Sequence, residues 1–461
     1  MLTPSETERI AAAARELCDD PGLMFEDQEI VDRLLASGAR PGSRPMVVRF
    51  SREVLDDWLE RAPRRFLLAD RRGTLSEVGP DTPPLFWTGS GLFYSDERGF
   101  RPIARRDLAE FARLVDTLSQ VHALVGTSTD DTPPPHRDFV GLRVMAENTR
   151  KHLRALAFSA RGSQAMVEMA RVLAGPAGLR ARPVMSLGFT AHGPLRWTAL
   201  AISVFKATAG HGIPVTVNGE PMAGASSPMT LAGTAAVGTA EILAGIVANQ
   251  VLEPGRPCFF NLGFSHVMDM RRGFAVTGGP ENCLLAVAGA QLARHFGFPS
   301  VSWMCTDSLH VDAQNALEKA VAAVTHAQAG VSVVWGVGQL ESEKTLSPVQ
   351  AVIDDELVAM VRRFVRGFAV DETSLAVEEI RRAGIAGSFL ESEHTLEHVR
   401  GAIFEPRLLV RVQRPSSGAV PDLAEAARAR VRAVLASPPQ PQLSEDEARE
   451  LERIERHYAG G

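Results

Sequence analysis

Cysteine is scarce in this chain. Only four occur in 461 residues (Cys18, Cys258, Cys283 and Cys305), widely spaced and with no CxxC pair. That excludes a disulfide framework and the common zinc-ribbon spacings, and predicts buried free thiols in a reducing compartment. Basic residues form no long run and the formal net charge is −6, so the electrostatic footprint of a nucleic-acid binder is missing. Residues 1–10 (MLTPSETERI) have neither a basic start nor an apolar core, which argues against a secretory signal and for a cytoplasmic protein. No GxGxxG follows an apolar run, and there is no P-loop, GxSxG or HExxH. Dinucleotide, nucleotide, serine-hydrolase and zincin chemistry therefore lack their usual signatures.

What the chain does have is an alternation. Short apolar runs bounded by Pro and Gly recur at 214–220 (PVTVNGE), 257–263 (PCFFNLG), 299–307 (PSVSWMCTD) and 331–336 (VSVVWG). Such runs read as strands buried on both faces, and the helical stretches between them supply the crossovers that parallel pairing needs. Extending the pattern gives strands near 85–88, 121–127, 155–159, 184–188, 214–218, 257–262, 299–304 and 331–336. Helices fall near 105–119, 137–151, 163–174, 196–211, 229–252, 280–296, 313–329 and 347–366. Eight strands, each followed by a helix, predict an α/β fold of the TIM (β/α)8 barrel type, with an open doubly wound sheet as the alternative.

The predicted organisation is an N-terminal helical cap (1–84), the barrel (85–370) and a C-terminal helical extension (371–461). The cap has helical spacing at 3–17, 27–37 and 51–61, and turn residues between aromatic runs at 85–101 predict a hairpin after the first strand. Pro415, Pro421 and the PPQPQ stretch introduce tail helices at 423–435 and 445–457, which serve either as a packing arm or as the contact of a homo-oligomer. Residues 228–252 carry Glu241 as their one charge and are long enough to cross a bilayer. Their three glycines and place within the alternation predict instead a helix buried between the barrel and its neighbours, with no membrane span.

Barrels of this kind do their chemistry at the C-terminal ends of the strands, which selects the candidates. Glu220 directly follows a buried strand. Asn261, His266 and Asp269 lie in a loop long enough to suggest function. Glu281 opens a helix, where capping is its simplest use; Asp307 follows the 299–304 strand. Trp87, Trp303 and Trp335 fall at strand ends, with Trp197 just after another, and aromatic faces there can hold a quaternary ammonium by cation–π attraction. His394 and His398 share a helical face, but the flanking glutamates read as a solvated surface, and no metal centre is expected.

Residues 218–257 (NGEPMAGASSPMTLAGTAAVGTAEILAGIVANQVLEPGRP), 269–300 (DMRRGFAVTGGPENCLLAVAGAQLARHFGFPS) and 306–320 (TDSLHVDAQNALEKA) resemble the trimethylamine methyltransferase family. The resemblance runs from about residue 85 through SPVQAVIDDEL and FLESEHTLEHVR. It implies a TIM barrel that moves a methyl group from a methylated amine to the cobalt of a corrinoid (cobalamin) carried by a separate protein, with no tightly bound cofactor of its own. The founding members carry pyrrolysine; this chain has only standard residues and resembles the non-pyrrolysine branch, which includes enzymes for glycine betaine and other quaternary amines. A quaternary ammonium already carries the charge that lets a neutral amine leave, so positioning and electrostatics suffice. On this reading Trp87, Trp303 and Trp335 hold the ammonium, with Glu220 as counter-charge. Asn261, His266 or Arg271 holds a substrate carboxylate, and Glu281 and Asp307 lie on motif positions. His266 and Val267 depart from the family pattern. Two alternatives stay open: an amine-binding barrel that has lost catalysis, and a barrel enzyme of another reaction class.

Overall fold

In the computed structural model, which describes residues 1–413 and 422–460, eight parallel strands close into a barrel. They are β1 (Leu85–Thr88), β2 (Val121–Val125), β3 (His152–Arg154), β4 (Met185–Thr190), β5 (Val215–Asn218), β6 (Cys258–Gly263), β7 (Ser300–Trp303) and β8 (Val333–Val337). Each pairs with its sequence neighbours, and β8 closes on β1 through Val333 opposite Leu85. The crossover helices are α1 (Arg105–Thr117), α2 (Arg137–Asn148), α3 (Ala160–Ala174), α4 (Ala199–Thr208), α5 (Leu231–Leu252), α6 (Pro280–His295), α7 (Ala313–Gln328) and α8 (Pro348–Val365). The TIM-barrel expectation holds.

One strand is displaced from its predicted place. The apolar run at 155–159 reads as the third strand, yet β3 pairs through His152, Leu153 and Arg154. The two polar residues face the barrel interior, so the apolar pattern that marks the other strands is absent here and the prediction slips onto the loop that follows.

The first 84 residues hold three helices (Pro4–Asp19, Gln28–Ala36 and Arg52–Glu60) and short strands besides. Strand Leu23–Phe25 pairs with Val47–Arg49 and with Arg196–Trp197, outside the barrel. Trp197 is therefore not a mouth residue: its Nε1 donates to the Glu241 carbonyl at 3.2 Å and its ring lies on α5. A Cβ at Gly245 would stand 2.2 Å from that ring, which is why the helix has glycine there. Helix α5 is the one helix among the described residues long and apolar enough to cross a membrane, and most of it is buried by the barrel and the N-terminal helices packed on it.

A hairpin of Phe66–Ala69 and Leu75–Val78 stoppers the N-terminal end of the barrel. Phe66, Leu68 and Val78 join Trp87, Val125, Phe259, Val301 and Val333 in one apolar cluster, and Phe66 meets Phe259 edge-on at 4.9 Å.

The tail helices Leu423–Ala436 and Glu445–Ala459 pack on the barrel's own α8 and α1, and on α3 and α2, respectively, so they serve as a packing arm. The helices at Glu372–Leu375, Val377–Ala383 and Glu393–Ala402 bury none of their own residues. Pro415 and Pro421 lie outside the described residues.

Candidate functional site

Side chains alternate along each barrel strand, so every second residue enters the interior. Here that row is polar and aromatic. At the ends of β4, β5 and β6 a ladder of amides crosses the barrel: Asn218 Nδ2 donates to Thr190 Oγ1 (3.1 Å), Asn261 Nδ2 donates to Asn218 Oδ1 (2.8 Å), and the Gly263 N–H donates to Asn261 Oδ1 (3.1 Å). Asn261, a sequence candidate, is thus fully engaged and holds three strand ends in register.

The opposite wall is aromatic. Trp303 and Trp335 are adjacent in register, and Phe264, in the loop after β6, meets both edge-on at 5.6 and 5.0 Å. Trp303 Nε1 donates to Gln339 Oε1 (2.7 Å), and Gln339 Nε2 donates to the Ser90 carbonyl (2.7 Å). A Cβ at Gly89 would fall 1.9 Å from the Gln339 side chain, so glycine at that strand end is required for the glutamine to reach the indole. Trp87 sits deeper. It is fully buried, and its ring lies 5.7 Å from Trp335, 5.7 Å from His152 and 6.1 Å from Phe259.

Beneath the mouth a guanidinium crosses the interior. Arg154 starts from β3, donates to its neighbour's carbonyl at Ala155 and, at 3.2 Å, to Thr216 Oγ1 on β5, and lies 5.0 Å over the Trp335 ring on β8. A Cβ at Gly188 on β4 would be 1.8 Å from its Nη2. Among the described residues no carboxylate pairs with it: burial alone acts on Arg154 and pulls its pKa down to about 9.

Carboxylates gather at the rim. Glu220 follows β5, where the Gly219 N–H donates to the Asn261 carbonyl. Its pKa is pushed up to about 8, first by burial and then by the neighbouring charges of Glu343 and Glu241. Burial likewise raises Glu343, to about 7, against the pull of Lys344, and Glu241, to about 7, against a hydrogen bond from the Leu195 N–H. By its accessible surface Glu343 is solvent-exposed. It is carried on an unusual turn: Glu341, Ser342 and Glu343 all have left-handed φ values of 54°, 50° and 70°. Each such residue is disfavoured by about 1 kcal/mol, and runs of this kind persist only where surrounding contacts enforce them.

Asp307 supplies that enforcement. It accepts hydrogen bonds from the Thr277 N–H and Oγ1, the Gly278 N–H and Ser342 Oγ, joining the loops after β6, β7 and β8. The Glu341 and Ser342 N–H groups donate to the carbonyls of Ser308 and Thr306, both at 2.8 Å. Deeper, Lys319 on α7 donates to the Gly336 carbonyl (2.8 Å) and to Asp354 Oδ2 (2.6 Å), which also accepts from the Gly338 N–H (2.7 Å). This wholly buried ion pair pins the start of the β8 loop.

The structure therefore places Glu220, Asn261, Trp303 and Trp335 at one end of the barrel, with Trp87 a layer below and Asp307 tying the rim loops. His266 is nearly buried, lowered in pKa by burial, with Nδ1 on the Phe264 carbonyl at 2.9 Å. Two candidates stand apart. Arg271 is exposed at the tip of the hairpin formed by His266–Asp269 and Phe274–Val276, and Glu281 is exposed in the first turn of α6. His394 and His398 stack on each other at 4.1 Å on the arm, remote in sequence from every barrel strand. Sequence reasoning missed Arg154, Gln339 and Glu343. A charge within the HLR segment was an available signal for Arg154; Glu343, in the polar run ESEK, gave none.

The family model for trimethylamine methyltransferase (MTTB) matches residues 1–460. The trimethylamine methyltransferase MttB of Desulfitobacterium hafniense (strain DSM 10664 / DCB-2) is 30% identical over 87% of this chain and 82% of its own length. The glycine betaine methyltransferase of D. hafniense (strain Y51) is 28% identical over 88% of this chain and 86% of its own. Among solved structures, the Methanosarcina barkeri monomethylamine methyltransferase (MtmB) shares the fold, with a TM-score of 0.54 and 14% identity over 81% of this chain and 76% of that one.

Proposed function

Since this chain belongs to the trimethylamine methyltransferase family, we propose that it removes a methyl group from a quaternary amine at the barrel mouth and delivers it to the Co(I) of a corrinoid carried by a separate protein. The observation that carries the reading is the aromatic wall of Trp303, Trp335 and Phe264 at the same end of the barrel as Glu220, whose carboxyl sits just past β5 and is raised by burial and by the repelling charge of Glu343. A permanent cation resolves the repulsion, and the π faces add to its binding.

In the reaction the C–N bond breaks, its electron pair stays on nitrogen, and a neutral tertiary amine leaves. The corrinoid supplies the two-electron nucleophile that takes the methyl group. The chain's residues hold the ammonium in line and keep it desolvated. The carboxylates favour the cation over the neutral product, which helps the product depart. With no pyrrolysine in the chain, no residue is assigned to covalent activation, consistent with a substrate that arrives already charged. The Asn261–Asn218–Thr190 ladder and the Asp307 clamp hold the walls and rim in place. The four free thiols are all buried, which suits a reducing, cytoplasmic setting.

The test is methylation of free cob(I)alamin by the purified protein, followed by its visible spectrum, across matched quaternary and tertiary amines. Methylcobalamin formed with a quaternary amine and not with its tertiary counterpart is the expected result. Turnover of tertiary amines alone overturns the substrate class. Calorimetric binding without turnover, even with a corrinoid protein added, overturns catalysis and leaves a binding barrel.

A further inference from the structure

We infer that Arg154, together with the indole N–H groups of Trp87 and Trp335, forms a carboxylate-binding site inside the barrel, so that the substrate is a zwitterion whose ammonium stays at the mouth while its carboxylate is seated below. The inference rests on the proposed amine site above and names the substrate class that fits it.

Four Lys and Arg side chains are buried among the described residues: Lys151, Arg154, Arg256 and Lys319. Lys319 has Asp354 at 2.6 Å and Arg256 has Glu253 at 3.7 Å. Lys151 donates to the carbonyls of Leu118 and Val121 and feels the charges of Asp116 and Asp355. Arg154 alone has no carboxylate acting on it, and its Nε has no acceptor. A charge left uncompensated in an interior is strongly unfavourable. It persists where something outside the chain completes it.

The neighbouring groups have the same unfilled valence. Trp87 Nε1 and Trp335 Nε1 are buried donors without acceptors, and both rings belong to the stack on which the guanidinium lies, with 5.7 Å between the rings and 5.0 Å from Arg154 Cζ to Trp335. Buried donors without partners are few in native proteins, and three within one stack, all donors, call for an acceptor. Glycine at 188 gives the guanidinium its passage, since any side chain there would occupy the space of Nη2. A carboxylate matches the planar fork of Arg and has lone pairs left for indole N–H groups. Arg271, the sequence-level choice for this task, is solvent-exposed and is replaced by Arg154.

The test compares binding of glycine betaine, choline and tetramethylammonium by calorimetry, without corrinoid, to the wild type and to Arg154→Met and Trp335→Phe. Choline keeps the ammonium and replaces the carboxylate by a hydroxymethyl group. In the wild type the betaine is expected to bind about 100-fold more tightly than choline, the scale of a charge-assisted hydrogen-bond pair. Arg154→Met is expected to remove most of that preference while leaving choline binding within about 3-fold. Trp335→Phe, which keeps a ring and loses the N–H, is expected to weaken the betaine about 5-fold. Equal binding of betaine and choline by the wild type overturns the inference without any variant, and leaves the amine site standing if tetramethylammonium still binds. Equal losses for all three ligands in Arg154→Met assign the residue to structure instead and overturn it too. If no ammonium binds the wild type, the functional reading itself fails.

Discussion

At the floor of the barrel, His152 uses both ring nitrogens, one with the Ala69 carbonyl at 3.0 Å and the other with Ser186 Oγ at 2.9 Å. Ser332 Oγ donates to the Gly79 carbonyl at 2.8 Å, and the hairpin side chains Phe66, Leu68 and Val78 fill the remaining space. Toward the mouth the same strands carry a guanidinium without a counter-ion, indole N–H groups without acceptors and, just past β5, a Glu220 carboxyl raised by burial and by the charge of Glu343. One end is closed by packed side chains and paired polar groups; the other carries the buried guanidinium and indole donors, and it is the end at which binding is proposed.

That contrast is open to attack from both ends. Lys319→Met leaves Asp354 buried and alone, and a loss of about 3–5 kcal/mol in folding stability is expected, measured by denaturant unfolding. The β8 loop should loosen with it. Phe66→Ala at the floor is expected to cost about 3 kcal/mol of stability, with the affinity for ammonium unchanged in the protein that remains folded; a large change in affinity would mean that the two ends are not separate. Glu220→Gln at the mouth should do the reverse, weakening quaternary ammonium binding by about 10- to 100-fold while the fold is retained.

The pH dependence of the mouth has a definite sign. The Glu220 pKa in the folded protein lies above its ordinary value, so its contribution to stability is full below the ordinary Glu pKa and is lost as pH rises to about 8. Glu220→Gln should therefore raise Tm relative to the wild type at pH 8.5, and the gain should fade toward pH 5. A quaternary ammonium binds best to the ionised Glu220 carboxyl, so its affinity should climb with pH through 7 and level off above about 8. A flat profile would show that the Glu220 carboxyl does not face the cation.

The barrel was legible because buried parallel strands are short apolar runs, and seven of the eight carry one. The exception, β3, is also the strand that bears Arg154, and the two facts have one cause: polar residues turned inward erase the pattern. Glu220, Trp303 and Trp335 could be placed at this end of the barrel because a residue late in an apolar strand, or just past it, is positioned by the fold itself. Glu343 could not, because its position depends on a left-handed turn whose support comes from Asp307, Thr306 and Ser308 in the preceding loop. Arg271 was chosen for its residue type and Glu281 for its motif position at a helix start, and neither says which way a hairpin tip or a first helical turn faces; both are exposed.

The sequence alone determined the fold class and the family, since periodicity and long motifs are properties of the chain itself. Tertiary structure decided which charges meet. Arg154 and Trp335 are 181 residues apart by their numbers yet lie in contact across the barrel, and the want of an acceptor for Arg154 Nε and Trp335 Nε1 becomes visible only once the surrounding strands have closed around them. A local pattern records how a segment is buried; the partner of a buried charge is set by long-range geometry.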